Sequence, residues 1–239
     1  MCFGLFFICR GVGTGIQEGL KNLWRSYSLG SSSLLLCTFK TKKKQIMIDN
    51  FEQISKLLKF EDENEFYFIQ VLQRNKENRE LGSNNRLVKA YYIYSLEQLE
   101  KYKNEMISLC QTFNARLYIH LNRRNARMIA LEMMEDLAHS IKSNQFHLSK
   151  IYSSVCGRHH SKKDKTWILD VDEEQISVLM LAFIEIECHP LNTPKEIDRI
   201  KTKNGWHIIT KPFNTLKFCT KYPEVEIHKN NPSVLFIPD

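Results

Sequence analysis

The sequence predicts an α+β fold, a mixed or antiparallel sheet packed by helices. Three observations carry this. Residues 65–73, "EFYFIQVLQ", alternate aromatic and polar side chains with the period of two that a strand requires. Residues 125–141 repeat Met128, Leu131, Met134 and Leu137 at helical spacing, which predicts one apolar helix face. Strand-like and helix-like stretches then alternate along the chain, as they do where helices pack on a sheet. At 239 residues, 43% of them hydrophobic, the chain can bury one sizeable core.

Residues 1–46 stand apart from the rest. They hold six of the nine glycines, the run Ser31-Ser32-Ser33 and the run Lys42-Lys43-Lys44, which predicts a poorly ordered basic appendage. Gly11-Val12-Gly13-Thr14-Gly15 lacks the Gly-Lys-Ser/Thr ending of a phosphate loop and reads as a flexible segment. The main domain is expected at 47–239, with Met47 a natural start and residues 1–46 dispensable.

Within 47–239 each element has its own signal. Residues 51–60 read as a short amphipathic helix, and residues 86–94 ("RLVKAYYIY") as the antiparallel partner of 65–73. Ser95-Leu96-Glu97-Gln98 is a capping box, because the serine hydroxyl and the glutamine side chain can each satisfy a free backbone N–H; it opens a helix to about Thr112. Residues 115–122 predict a strand, and a polar loop is expected between the helix at 125–141 and the strand at 166–172. A helix over 174–188 follows, then strands at 198–203, 207–211, 225–229 and 234–237.

Charge and cysteine usage narrow the function classes. The formal charge is +7, yet seven basic residues and one acid lie in 1–46, so the rest is nearly neutral and any nucleic-acid argument rests on local clusters. Seven scattered cysteines read as reduced thiols of an intracellular protein rather than a disulfide framework. No segment is long and apolar enough to span a membrane, so none is expected as a partner. Cys156, His159, His160, Cys188 and His189 are ligand types that zinc accepts, but no repeated Cys-x-x-Cys pair accompanies them, and zinc is not expected.

Three clusters carry candidate chemistry. In "WILDVDEE" strand alternation puts Asp170 and Asp172 on one face, where two adjacent carboxylates need a cation or strong donors to stay charged. Either they hold a divalent metal through oxygen ligands, or they cap the following helix, with Glu173 and Glu174 near its N-terminus. In "KTKNGWHIITK" an Asn-Gly hairpin presents Lys203, His207 and Lys211, either as a triphosphate rim or as a plain basic hairpin. In "EVEIHKN" Glu224 and Glu226 share a strand face, which by itself describes a solvated edge strand. Tyr91, Tyr92 and Tyr94 beside Arg86 and Lys89 are split between core packing and stacking on single-stranded bases.

Their order along the chain resembles the archaeo-eukaryotic primase superfamily, the catalytic core of primase-polymerases. That family has Asp-x-Asp on one strand, then a small residue, any residue and His, then a metal-binding acid on a third strand; here these are Asp170 and Asp172, Gly205-Trp206-His207, and Glu226. Residues 115–124, "ARLYIHLNRR", are similar to the segment preceding the acidic pair in plasmid- and phage-type members. The resemblance spans roughly residues 65–239 and implies an RRM-like core.

The resemblance further implies a nucleotidyltransferase of DNA replication that extends a nucleic-acid strand, encoded by a phage or plasmid. Asp170, Asp172 and Glu226 would be catalytic and bind two Mg²⁺ or Mn²⁺ ions. His207, with Gly205, would contact the phosphates of a nucleoside triphosphate. Charge and position add Lys203 and Lys211 as phosphate contacts, and Arg123, Arg124, Arg158 and Lys162 as contacts to a single-stranded DNA or RNA template. A separate replicative helicase is the implied partner. Glycine at 205 stands where the family usually has serine, and Glu226 where it usually has aspartate. Two alternatives stay open: a metal-dependent nuclease or nucleotide hydrolase on the same fold, and a catalytically silent module that binds single strands.

Overall fold

A computed structural model of the chain describes residues 47–145, 150–159, 164–172, 177–230 and 232–239, all within one compact unit, Lys44–Asp239. The expected appendage at 1–46, His160, Lys162, Glu173 and Glu174 lie outside the described residues.

The elements in chain order are β1 (Ile48–Asp49), α1 (Phe51–Leu57), β2 (Glu65–Gln73), β3 (Arg86–Ile93), α2 (Leu96–Thr112), β4 (Arg116–Ile119), β5 (Arg124–Asn125), α3 (Ala126–Lys142) and α4 (Ile151–Arg158). Then come β6 (Trp167–Asp172), α5 (Val178–Glu187), β7 (Glu196–Lys201), β8 (Gly205–Thr210), α6 (Thr215–Lys221), β9 (Glu226–His228) and β10 (Ser233–Ile237). This is the α+β class, with two antiparallel sheets instead of one. The first runs β1-β10-β4-β2-β3, with β5 joined to the start of β2; the second runs β7-β8-β6-β9.

β2 is covered on both faces, which is why Phe66, Tyr67 and Phe68 follow one another, all buried, in place of the expected alternation with polar residues. Tyr67, Ile69 and Val71 join α1 and α2 in the main core, while Phe66 and Phe68 pack against Ile129 of α3 and Val155 and Cys156 of α4. Full burial of each phenylalanine contributes about 2–3 kcal/mol. Ile168, Ile200 and Ile209, from one face of the second sheet, enter the same main core, so the two sheets share it. On the other face of the second sheet, Leu169, Val171 and Ile208 pack beneath Met180 and Ile184 of α5 and Phe218 of α6.

Local signals explain several boundaries. Ser95 Oγ accepts the Gln98 N–H at 3.2 Å, and the Gln98 side chain accepts the Tyr94 N–H at 2.7 Å, one residue before the cap. Two helices were not expected: α4, inside the predicted polar loop, and α6, a short helix capped by Asn214, whose side chain accepts the Lys217 N–H at 3.2 Å.

The face predicted for α3 is corrected. Met128, Leu131, Met134 and Leu137 are exposed, and the helix instead turns Ala126, Ile129 and Met133 to the core.

Candidate active site

β6 lies between β8 and β9, and antiparallel register sets Asp170 opposite His207 on one side and opposite Glu226 on the other. Directly opposed residues share a face, so one row across three strands carries two carboxylates and an imidazole. Asp172 follows two residues on, on the same face, opposite Gly205. Both aspartates stand within the strand and are exposed. The following described helix, α5, is capped by Ser177, whose Oγ accepts the Met180 N–H at 3.1 Å. The capping role considered for Asp170 and Asp172 is therefore filled by another residue.

Gly205 has a steric reason to be glycine. A Cβ there would lie 2.1 Å from the Val171 carbonyl oxygen and 2.7 Å from Asp172 Cα, so the β6 backbone occupies the space a serine would need. The hairpin closes without the predicted Asn-Gly centre. Lys203 and Asn204 are its central pair, the Thr202 N–H donates to the Gly205 carbonyl at 2.9 Å, and the Gly205 N–H donates to Thr202 Oγ1 at 3.1 Å.

His207 is 9% exposed. Its Nδ1 is 3.0 Å from Ser233 Oγ on β10, and its Nε2 is 3.7 Å from Asp170 Oδ1. Burial pushes its pKa down to about 4, against the opposing pull of Asp170, so the ring is neutral at pH 7. Glu226, whose side chain is 75% exposed, reaches His228 Nε2 at 3.4 Å, on its own strand face.

Asp170, Asp172, His207 and His228 border a cleft of about 400 Å³ whose other wall is β2 and β4 of the first sheet. Arg74, Arg116, Tyr118 and Lys203 face it. Arg116 forms a bidentate pair with Glu77, its Nε 2.9 Å from Oε2, and Lys203 reaches the same carboxylate at 3.1 Å. Arg74 has no ion-pair partner among the described residues. Sequence reasoning missed His228, Arg74, Arg116 and Tyr118. His228 was within reach, two residues after Glu226 on one strand; Arg74, just past the end of β2, and Arg116 and Tyr118 on β4 lie far away in sequence.

The remaining predicted contacts separate from this cleft. Lys211 lines a different cavity, on the opposite side of the first sheet. Arg123 is buried and held by Glu65 at 2.8 Å, Asp164 at 2.9 Å and Glu61 at 3.4 Å. Arg124 is fully buried and spends its guanidinium on the carbonyl oxygens of Cys156, at 2.9 Å, and Asn122. Burial lowers its pKa to about 10, so it remains charged without a carboxylate, and it presents nothing to a template strand. Arg158 is exposed and pairs with Asp136 at 2.7 Å. His120 is buried between Gln70 and the Asn230 carbonyl, with a pKa pushed down to about 3. Cys156 and Cys188 lie in different clusters, and His159 Nδ1 is 2.6 Å from Glu132.

Among the described residues, no three of His, Cys, Asp and Glu converge on one point as a ready cage for a metal ion. The donors along the row are carboxylate oxygens. Mg²⁺ at phosphoryl-transfer sites is commonly held by one or two carboxylates completed by substrate phosphates, and the Asp170 and Asp172 pair suits that chemistry. No helix among the described residues is long and apolar enough to cross a membrane. In comparisons with known proteins, no family model, curated protein or solved structure matches this chain.

Proposed function

We propose that the cleft beside Asp170 is the active site of a nucleotidyltransferase of the primase-polymerase type, which adds nucleotides from triphosphates to a nucleic-acid strand. The observation that carries this reading is the row Asp170, His207 and Glu226 across β8, β6 and β9, with Asp172 on the same face. Asp170 and Asp172 would hold Mg²⁺ or Mn²⁺, with Glu226 reaching in from the edge strand. Such ions supply charge neutralisation at the reacting phosphoryl group and lower the pKa of the attacking hydroxyl.

The chain's own residues do the rest. A Ser233 hydroxyl donating to Nδ1 leaves the His207 proton on Nε2, facing the cleft, where a neutral donor can bond a phosphate oxygen. Arg74, partly buried and without an ion-pair partner among the described residues, supplies positive charge on the opposite wall. The Glu77 clamp holds Arg116 and Lys203 in place there.

The test is calorimetric titration of a nucleoside triphosphate with and without Mn²⁺, followed by extension of a labelled primer. Wild type should gain a binding component when Mn²⁺ is added and lengthen the primer, and the Asp170→Ala, Asp172→Ala double variant should lose both that metal-dependent component and extension while melting normally. Absence of any metal-dependent binding component in wild type, or its persistence in the double variant, would overturn the reading. Shortening of the labelled strand would replace it with the nuclease alternative.

A further inference from the structure

The second cavity, of about 490 Å³, opens on the same face of the second sheet as the cleft but on the other side of the first sheet. Its composition differs from the cleft in a way that points to a ligand. Leu121, Ile197 and Pro212 give it apolar walls, and Lys59, Lys165 and Lys211 stand around it with no carboxylate partner among the described residues. Arg123 also borders it, but that guanidinium is already committed to Glu65, Asp164 and Glu61 and acts as scaffold. Asp164, bonded to Arg123 through one oxygen and 55% exposed, keeps acceptor capacity toward the cavity.

We infer that this cavity binds a nucleoside phosphate, its phosphates on Lys59, Lys165 and Lys211 and its base or sugar against the apolar walls. The volume is far larger than an inorganic phosphate needs and lies in the range of small-molecule sites. Apolar walls call for an organic moiety, and three lysines without a carboxylate partner among the described residues for a ligand of more than one negative charge. An exposed carboxylate on the wall suits a base that carries amino hydrogens. The inference is independent of the reading of the acidic cleft, because no residue is shared between the two linings.

The experiment is fluorescence titration of the whole chain with N-methylanthraniloyl-ATP in excess EDTA, which removes metal-dependent binding at the cleft. Saturable binding is expected, unchanged in the Asp170→Ala, Asp172→Ala variant. The Lys59→Glu, Lys211→Glu variant should bind at least about tenfold more weakly, with the milder Lys59→Gln, Lys211→Gln pair falling between, because charge-assisted contacts are the strong ones. Unlabelled ATP should displace the probe at concentrations about tenfold below those of tripolyphosphate. Absence of saturation, indifference to the lysine substitutions, or loss in the aspartate variant would overturn the proposal. Equal displacement by tripolyphosphate would reduce the site to a simple anion site, and stronger displacement by a short single-stranded oligonucleotide would assign it to a strand; either result also overturns it.

Discussion

The carboxylates of the cleft and the two arginines that follow β4 are equally charged, but they are treated oppositely by the fold. Asp170 and Asp172 are exposed, and the imidazole that stands 3.7 Å from Asp170 is neutral at pH 7. Arg123 and Arg124 are buried, one inside three carboxylates and the other among carbonyl oxygens. Charge that the fold has already compensated builds the scaffold. Charge left uncompensated and held at fixed positions on a strand is available to a ligand.

The largest expected effect tests the uncompensated side. Asp170→Ala with Asp172→Ala should lower primer extension by about three orders of magnitude or more while shifting the melting temperature little, since exposed carboxylates released from mutual repulsion cost no stability. A large loss of stability instead would place these residues with the scaffold.

Next, Gly205→Ala should destabilise the protein by about 2–4 kcal/mol in urea unfolding, because the added methyl meets backbone that cannot swing aside. A near-neutral result would show that β6 and β8 can separate, and that the row is held loosely.

The third effect concerns pH. His120 has a folded pKa of about 3 and His207 of about 4, both below the ordinary 6.5, so the unfolded chain binds more protons across that interval and stability must fall as pH drops from about 6.5 toward 4. The loss should reach about 2–5 kcal/mol in denaturant titrations. His120→Gln should flatten the slope, most clearly between pH 6 and 4 on the order of half of it, if burial is the cause.

The smallest effect separates the two lysines once grouped together. Lys203→Ala should weaken metal-dependent triphosphate binding by less than about tenfold, as expected for a partly screened surface charge, and Lys211→Ala should leave it unchanged. Equal effects would mean that the two cavities communicate.

The elements that were legible in the sequence are those whose signal is local. β2 begins and ends where the aromatic and β-branched segment "EFYFIQVLQ" does, and α2 starts behind its serine cap. Asp170, His207 and Glu226 were also selected, but only as an order along the chain. Their assembly into one row depends on β6 being central, which is a fact about pairing that no single segment states. The arginines failed for a related reason. "NRR" looks like a basic surface, and nothing in residue type says that Arg124 will be wrapped by the carbonyls of Cys156 and Asn122. The stripe on α3 failed because apolar spacing gives a helix a moment without saying which neighbours arrive; α4 was absent from the prediction and covers the other side.

The position of β10 has a consequence for how the molecule forms. This strand follows all of the second sheet in the chain, yet it lies inside the first, between β1 and β4, and its Ser233 reaches His207. The first sheet therefore stays open until the second has been traversed, and closing it means bringing together segments far apart in sequence, which is slow. Two sheets that look like two modules should melt in a single transition, and a chain cut between β5 and β6 should yield no fragment able to refold alone.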